Sequence, residues 1–177
     1  MNEFPQHYTT ERLLWSTLNT QDIDVIYRQF SDADMCRYFS DPPCTYDEAA
    51  EIIHMYQHTH GRRMRWKLST FDTGVFVGTC GFHYYDAEKK HAELGYDIWK
   101  EFWNQGYMRE VLPALIELCV KSLRVETLYV LIDRDNAASI AVAKRAGFVP
   151  APPFRPVDTP TEICLKYVVT SPLGEAM

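Results

Sequence analysis

The spacing of hydrophobic residues changes several times along this chain, and each change marks a predicted element. The clearest case is AELGYDIWKEFWNQGYMR, residues 92–109. Leu94, Tyr96 and Ile98 alternate with polar residues or glycine, which is the period of a strand with two different faces. After a turn ending at Gly106, apolar residues recur every three or four positions, as on a helix with one buried side. The sequence therefore predicts a strand, a turn and a helix in succession.

The junction between this strand and this helix has chemistry of its own. A helix that begins at a turn leaves several backbone N–H groups without partners, and the positive end of the helix dipole lies at the same place. These two features together attract phosphate groups. We therefore interpret the turn that ends at Gly106 as a site that holds a pyrophosphate.

Similar patterns predict the remaining elements. Alternation or enrichment in β-branched residues predicts strands, and apolar stripes with capping residues, such as Thr45 followed by Glu48, predict helices. The predicted strands are residues 11–17, 63–70, 74–85, 125–132 and 161–169, and the predicted helices are residues 22–30, 45–60 and 136–147. Five prolines within residues 149–160 predict an irregular loop.

Length and composition indicate one globular domain over residues 1–177, because the chain contains no repeat and no linker. Hydrophobic residues at 46% and charged residues at 24% are ordinary values for such a protein. No apolar run approaches the roughly 20 residues that cross a bilayer, and the first residues lack a signal-peptide core. We expect a cytoplasmic protein without a membrane partner.

Charge and cysteine usage exclude further classes. A net charge of −6 argues against a nucleic-acid partner, whose binding surface would be basic. The five cysteines are scattered and form no C-x-x-C pair, so reduced thiols are expected. His54 and His58 share a helix face, but no carboxylate completes a known metal-ligand spacing, and no metal is expected.

Four pieces of the chain resemble the GNAT superfamily of N-acetyltransferases, and within it the branch of ribosomal-protein N-terminal alanine acetyltransferases. They are TERLLWSTLNTQD, FVGTCGF, AELGYDIWKEFWNQGYMREVL and IDRDNAASIAVAKRAGFV. The resemblance implies an α/β fold with a twisted, mostly antiparallel sheet and helices on both faces. It also implies one splayed parallel strand pair, residues 92–99 and 125–132, with acetyl-CoA entering the gap between the two strands.

The resemblance also assigns residues to acetyl-CoA. The family's pyrophosphate loop has the form Q/R-x-x-G-x-G/A, and the residues aligned with it or next to it are Trp103, Asn104, Gln105, Gly106, Tyr107, Met108 and Arg109. The first position carries Trp, an aromatic residue that is frequent in this branch, and the last carries the bulky Met108 in place of a small residue. Backbone groups of Tyr96 and Ile98 would pair with the pantetheine amides, and Asn136 would hydrogen-bond to the pantetheine arm.

Glu93 is the candidate general base. An amine must be neutral to attack a thioester, and at pH 7 an α-amino group of pKa about 8 is roughly a tenth neutral, against about 0.04% for a lysine. An α-amino acceptor therefore needs only a modest base. Glu93 lies on the predicted strand before the loop, although a solvent-facing carboxylate on an alternating strand is an equal interpretation. Asp97 shares its face and is the weaker candidate.

Ser139 is the candidate proton donor to the departing thiolate, a role that the resemblance gives it. Many GNAT enzymes use a tyrosine on this helix, but residues 136–146 contain none. By chemistry alone, Asn136 is a helix N-cap and Ser139 an ordinary residue of the first turn.

The predicted reaction is direct acetyl transfer in a ternary complex, because no cysteine has a paired histidine signature for a covalent intermediate. We favour a protein N-terminal α-amino group as the acceptor. Two alternatives stay open: a small amine, such as a polyamine or an antibiotic, and an acyl-CoA-binding module without activity. A homodimer is compatible with the sequence but not indicated by it.

Overall fold

Eight strands and five α-helices make up the part of the chain that the structure, a computed structural model, describes: residues 4–39, 43–58, 61–152 and 164–170. The strands are β1 (His7–Thr9), β2 (Leu13–Thr17), β3 (Met64–Thr70), β4 (Phe76–Asp86), β5 (His91–Ile98), β6 (Thr127–Asp133), β7 (Val149–Ala151) and β8 (Cys164–Thr170). The helices are α1 (Ile23–Ser31), α2 (Ala33–Cys36), α3 (Tyr46–Gln57), α4 (Tyr107–Leu123) and α5 (Ala137–Arg145).

The strands form one sheet in the order β1-β2-β3-β4-β5-β6-β8-β7. Every neighbouring pair is antiparallel except β5 and β6, which run parallel. Those two strands pair over only three residues each, and the last partners are Glu93 and Tyr129. Beyond that point β5 continues beside β4 as far as Ile98, and β6 continues beside β8. The predicted splayed parallel pair is therefore confirmed.

One face of the sheet packs against α4. The apolar stripe of this helix includes Leu112 and Leu115, which are fully buried against strand residues such as Leu94 and Trp66. Complete burial of a leucine side chain contributes about 2 kcal/mol. This contact orients α4, so its first turn lies just beyond the end of β5, with only the short 3₁₀ turn Lys100–Phe102 and the following loop between them.

The other face lies under α1 and α3. Ile26 of α1 and Ile53 of α3 are buried together in a second, smaller apolar cluster. The rings of Phe30 on α1 and Tyr56 on α3 contact the guanidinium of Arg65, which projects from β3. Helices therefore cover both faces, and the predicted α/β fold is confirmed.

Local signals for several helix ends are also confirmed. The Thr45 hydroxyl accepts from the Glu48 N–H at 3.3 Å, and the Glu48 carboxylate accepts from the Thr45 N–H at 2.6 Å. This reciprocal pair is the predicted capping box, and α3 begins directly after it. The helix ends at Gln57, slightly before the predicted residue 60. Gly147, just after α5, has a φ of +91°, which glycine adopts without strain.

Two short strands correct the sequence interpretation. The strand predicted at residues 11–17 is β2. The sequence did not predict β1, which precedes it, because β1 is too short to show a period. The predicted loop 149–160 is wrong at its start, where β7 pairs with β8 at the end of the sheet order. An edge strand accepts Pro150 because the missing N–H is not needed on its open side. Residues 153–163 lie outside the described part, so the rest of that loop and the start of the last predicted strand stay predictions.

Among the described helices, none combines the length and the apolar character that crossing a bilayer requires.

Candidate active site

The loop before α4 has the geometry of an anion site. Gly106 forms the N-cap of α4 with a φ of +79°, and Asn104 also has a positive φ of +60°. In the part of the chain that the structure describes, no side chain caps this helix end. Within the described residues, the backbone N–H groups of Tyr107 and Met108 have no hydrogen-bond partner. These amides are therefore available at the positive end of the helix dipole, as the sequence predicts.

Arg12 and Glu110 hold this loop in place, and the sequence interpretation missed both residues. The Arg12 guanidinium donates to Glu110 Oε2 at 2.8 Å and to the carbonyl oxygen of Gln105 at 3.0 Å. It also lies over the ring of Tyr107, 4.3 Å from the centroid. Burial opposes ionisation of Glu110, but hydrogen bonds from Thr10 and Arg12 outweigh it and lower the pKa of this carboxyl. The loop is thus anchored to the turn between β1 and β2.

The backbone of β5 faces the gap at the predicted positions. The Trp99 N–H, just after β5, donates to the carbonyl oxygen of Val77 in β4, at 2.7 Å. Because the peptide groups of a strand point alternately to its two sides, the N–H and C=O groups of Tyr96 and Ile98 point away from β4, towards the gap. The Ile98 carbonyl oxygen accepts a hydrogen bond from the Trp103 indole N–H at 2.6 Å. Trp103 therefore contacts the end of the gap from the loop.

Glu93 lies where the parallel pairing of β5 and β6 ends. Its side chain is half-buried rather than solvent-facing, and its Oε2 atom is buried without a hydrogen-bond partner in the described part of the chain. Burial raises the pKa of Glu93 to about 7, although a hydrogen bond with Tyr129 acts in the opposite direction. A carboxylate with a pKa near 7 is suited to take a proton from an amine near neutral pH.

Asp97, the weaker candidate base, is engaged by other groups. Its carboxylate forms an ion pair with Arg65, and both side chains are buried. The Thr79 hydroxyl also donates to it, at 3.0 and 3.1 Å. Burial raises the pKa of Asp97 despite the charge of Arg65. Because loss of either partner would leave an uncompensated buried charge, we assign this pair to the architecture of the site.

The side chains of His83 and Tyr56, both polar and uncharged, lie beside Glu93 on the face of the sheet that α3 covers. His83 is the partner of Glu93 in the register of β4 and β5, and its Nδ1 atom lies 3.0 Å from the Tyr56 hydroxyl. Burial and the nearby charge of Arg65 lower the pKa of His83 to about 3, so the imidazole is neutral at pH 7. A Cβ atom on Gly95 would lie 2.6 Å from His83 Nε2. Glycine at this position therefore allows His83 to lie over β5.

Across the gap, the start of α5 contacts the other face of β5. The Asn136 side-chain oxygen accepts from the Ser139 N–H at 3.0 Å, which is the N-cap that chemistry alone predicts. The Ser139 hydroxyl donates to the Tyr96 hydroxyl at 3.1 Å. Burial raises the pKa of Tyr96, so its phenol stays protonated. The predicted Asn136, Ser139 and Tyr96 are thus brought together.

A cavity of about 400 Å³ opens between α4 and α5. The residues that line it are Met108, Arg109, Pro113, Val142, Arg145 and Ala146. Met108 forms part of its wall. The predicted Arg109 also lines it, from the first turn of α4.

Metal and thiol chemistry find no support at this site. Among the described residues, no group of three or more His, Cys, Asp or Glu side chains could hold a metal ion. Cys80 and Cys119 are buried thiols, and burial raises the pKa of each. Burial also raises the pKa of Cys36, to about 11. Such thiols are poor nucleophiles at neutral pH.

The sheet with its splayed pair, together with the free amides at α4, defines an acetyltransferase of the GNAT class. A model of the family described as "Acetyltransferase (GNAT) domain" matches residues 12–149. The chain belongs to this family and is an N-acetyltransferase by its class. It is 29% identical over 142 residues to the uncharacterised N-acetyltransferase p20 of Bacillus licheniformis, covering 78% of this chain and 80% of p20.

Two solved structures with bound CoA have the same fold. RimL, a ribosomal-protein α-N-acetyltransferase, has a TM-score of 0.77 at 16% identity, over 90% of this chain and 94% of RimL. The spermidine N-acetyltransferase of Vibrio cholerae, in complex with CoA and spermine, has a TM-score of 0.77 at 15% identity, over 89% and 95% of the two chains. The two enzymes are named for different acceptors, a ribosomal protein and spermidine, while their fold is shared.

Proposed function

We propose that this protein transfers an acetyl group from acetyl-CoA to a protein N-terminal α-amino group, by direct attack in a ternary complex. One observation carries the proposal: β5 and β6 stop pairing at Glu93, a carboxylate with a pKa of about 7, and unbonded amides lie beyond the far end of β5. A linear ligand with a diphosphate at one end and a thioester at the other fits between these two points.

The cofactor residues follow from this path. The amides of Tyr107 and Met108 would hold the diphosphate, with the Arg109 guanidinium next to them in the same helical turn. Trp103, Asn104, Gln105 and Gly106 form the turn that presents these amides. The backbone of Tyr96 and Ile98 would pair with the pantetheine amides. The side-chain amide of Asn136 has one group, its NH₂, left for the same arm, because its oxygen already caps α5.

Glu93 would act as the general base. The ammonium group of the acceptor gives one proton to the Glu93 carboxylate, and the neutral amine then forms a bond to the thioester carbonyl carbon. At pH 7 the deprotonation costs about 1.4 kcal/mol for an α-amino group and about 4.6 kcal/mol for a lysine. A carboxylate with a pKa of about 7 matches the first group far better than the second.

Ser139 would act as the general acid. As the C–S bond breaks, the departing thiolate of CoA takes a proton from the Ser139 hydroxyl. In the free protein that hydroxyl donates to the phenol of Tyr96, and the phenol donates to the Ser139 carbonyl oxygen at 3.4 Å. When the Ser139 hydroxyl turns to the thiolate, the phenol turns to Ser139 and replaces its proton, because a phenol is a stronger acid than an alcohol. The second proton of the attacking nitrogen leaves to solvent as the amide forms, and one proton from solvent restores the phenol. The pair therefore supplies the proton from the face of β5 opposite to Glu93.

The charges around Glu93 favour an α-amino acceptor over a polyamine. A polyamine carries several ammonium groups and needs several unpaired carboxylates. On this face of β5, Asp97 is committed to Arg65, and the neighbouring His83 is neutral, which leaves Glu93 as the available anion of the strand. The acceptor of RimL supports the same choice, whereas the similar fold of the spermidine acetyltransferase keeps a small amine as the second candidate.

Release of free CoA thiol from acetyl-CoA tests the proposal. The acceptors are short peptides with a free N-terminus, the same peptides with a blocked N-terminus, and spermidine. We expect thiol release with the free peptides and none with the blocked ones. If spermidine is the only acceptor that causes thiol release, the acceptor is a small amine and not a protein N-terminus. Cofactor binding without release for any amine would indicate an acyl-CoA-binding module.

A further inference from the structure

Glu93 lies in a row of polar side chains that crosses the sheet on the face covered by α3. Its partner in the register of β4 is His83, and its partner in the register of β6 is Tyr129. Residues directly opposite each other on neighbouring strands point to the same side of a sheet. The preceding pair in the register of β5 and β6, Ala92 and Leu128, points to the other side and is buried in the core against α4. The row therefore holds Glu93 between an imidazole and a phenol.

These two neighbours of Glu93 differ in what they offer it. His83 is engaged with other groups, because its Nδ1 atom lies 3.0 Å from the Tyr56 hydroxyl and its Nε2 atom lies 3.4 Å from Arg65 Nη1. The phenol of Tyr129, by contrast, forms a hydrogen bond with the Glu93 carboxyl. Burial and the nearby charge of Glu93 raise the pKa of Tyr129, so the phenol keeps its proton at neutral pH. Tyr129 can therefore act as the donor to an ionised Glu93.

Packing fixes the ring of Tyr129. The residue is 2% exposed, and its ring contacts the imidazole of His91 edge-on, with 5.7 Å between the ring centroids. On the other side of β6, its partner in the register is Val168 of β8. The side chain of Glu93 has more rotatable bonds, and a hydrogen bond to a fixed hydroxyl restricts them. The Tyr129 hydroxyl is thus a fixed point where the parallel pairing of β5 and β6 ends.

A phenol suits a carboxylate that must take up a proton. An ammonium or guanidinium partner would stabilise the carboxylate so strongly that it would become a weak base. Without a partner, burial would favour the protonated carboxyl, which cannot accept a proton. A neutral hydrogen-bond donor stabilises the carboxylate by an intermediate amount.

We propose that Tyr129 is a positioning residue, which holds the Glu93 carboxylate ionised and in a fixed orientation at the end of the gap between β5 and β6. This inference rests on the proposed role of Glu93 as general base. It adds that the basicity of Glu93 is set from β6, the strand on the opposite side of the gap.

Other ionisable groups surround this row. The neighbouring His83 is neutral at pH 7, and Arg65 is paired with Asp97, so the two charges of that pair largely cancel. The pKa of Glu93 follows from burial and from the contact with Tyr129. Among the described residues, the further titratable or charged side chains around the row are Tyr56 of α3, Arg63 before β3, Tyr84 of β4 and His91 of β5.

Tyr129→Phe tests the assignment, because it removes the hydroxyl and keeps the ring. The part of the rise in kcat/KM that Glu93 causes should move up by about one pH unit, the effect of one hydrogen bond to a charged group. Relative to the wild type, kcat/KM should then fall about fivefold at pH 7 and less than about twofold at pH 9, with the KM for acetyl-CoA unchanged. Tyr85→Phe is the matched control, since the Tyr85 phenol donates to the Leu123 carbonyl oxygen at the end of α4. It should keep the wild-type pH profile.

A double variant shows whether Tyr129 acts through Glu93. In the Glu93→Gln background, Tyr129→Phe should change kcat/KM by less than about twofold at every pH, because no carboxylate remains to be held. A full fivefold loss in that background would overturn the inference. So would a loss in the single variant that is equally large at pH 7 and pH 9, since that result indicates a purely structural role.

Titration of the Glu93 carboxyl by ¹³C NMR separates this inference from the proposed function. The Glu93 signal is assigned by its absence in Glu93→Gln, and melting temperatures verify that each variant is folded. In Tyr129→Phe the midpoint should move up by about one pH unit from the wild-type value near 7, whether or not an amine is acetylated. If the midpoint moves but the wild type acetylates no amine, the proposed function fails while the control of Glu93 by Tyr129 is supported. An unchanged midpoint would overturn the inference even in an active enzyme.

Discussion

The hydroxyl of Ser139 lies 3.1 Å from the hydroxyl of Tyr96 and donates a hydrogen bond to it. The two residues are 43 positions apart, one at the start of α5 and the other on β5. Their contact crosses the gap in which the pantetheine arm is proposed to lie. It also gives this chain a phenol near the start of α5, a helix that itself lacks tyrosine.

If this hydroxyl pair supplies the proton to the thiolate, its two members should differ in importance. Ser139→Ala should lower kcat by about 100-fold, the low end of general acid catalysis, with little change in KM for acetyl-CoA. Tyr96→Phe keeps the ring and should cost less, about 10-fold, because Ser139 remains. Steady-state kinetics measure both effects. A Ser139→Ala enzyme with wild-type kcat would remove Ser139 as the acid.

The pKa of Glu93 sets the expected pH dependence of activity. The base must be ionised, so kcat/KM should rise with pH and level off above about pH 7. Glu93→Gln should lower kcat by about 100-fold and remove the rise near pH 7, while CoA affinity stays the same. The variant should keep only the later rise, at about pH 8, that the α-amino group of the acceptor causes. A rate profile from pH 5 to 9 for both proteins measures the effect. The control is CoA titration, and a rise that stays near pH 7 in the variant would assign it to another group.

The same carboxyl should destabilise the fold at neutral pH. Burial raises the pKa of Glu93 from 4.5 to about 7, so the folded state holds the proton more tightly than the unfolded chain. Below pH 4.5 this group does not lower the free energy of unfolding. As the pH rises through 7, ionisation of Glu93 lowers the free energy of unfolding by about 3 kcal/mol in total. Glu93→Gln should therefore melt at a higher temperature than the wild type at pH 8. Equal melting temperatures at pH 8 would contradict the raised pKa.

The elements that carry the site could be predicted because their signals are local. Alternation along β5 and the apolar stripe of α4 depend on residues within one element, and so does the capping box of Thr45 and Glu48. The strands β1 and β7 could not be predicted, because three residues are too few to show a period. The contact with a neighbouring strand determines such short strands.

The chemistry of the site was less predictable, since it depends on contacts between distant residues. Period-two spacing places Glu93 and Asp97 on one face of β5 but cannot tell them apart. Only the folded chain brings Arg65 of β3 to Asp97 and leaves Glu93 without a cation among the described side chains. The contact of Arg12 with Glu110 spans 98 positions and is equally invisible to a local pattern, although both residues lie in pieces that resemble the family.

The contact between Arg12 and Glu110 should govern cofactor affinity through the shape of the loop. Arg12→Lys keeps the charge but cannot reach Glu110 and the Gln105 carbonyl together, as the fork of arginine does. We expect CoA affinity to fall by about 10-fold, the effect of roughly one lost charged hydrogen bond. Calorimetric titration measures it, with Arg28→Lys as a control on a surface ion pair. Unchanged affinity in Arg12→Lys would show that the loop holds its shape without this contact.

Trp103 should report cofactor binding by its fluorescence. It is 49% exposed, whereas Trp15, Trp66 and Trp99 are buried. Its indole N–H donates to the Ile98 carbonyl oxygen, on the proposed path of the pantetheine arm, so CoA should change the surroundings of this ring.

Trp103→Phe should lose most of the fluorescence change that CoA causes. Its CoA affinity should stay within about fivefold of the wild type, the effect of one neutral hydrogen bond. ADP is the control ligand, because it carries a diphosphate but no pantetheine arm, and it should change the wild-type fluorescence less than CoA does. A full response to CoA in Trp103→Phe would place the pantetheine path away from Ile98.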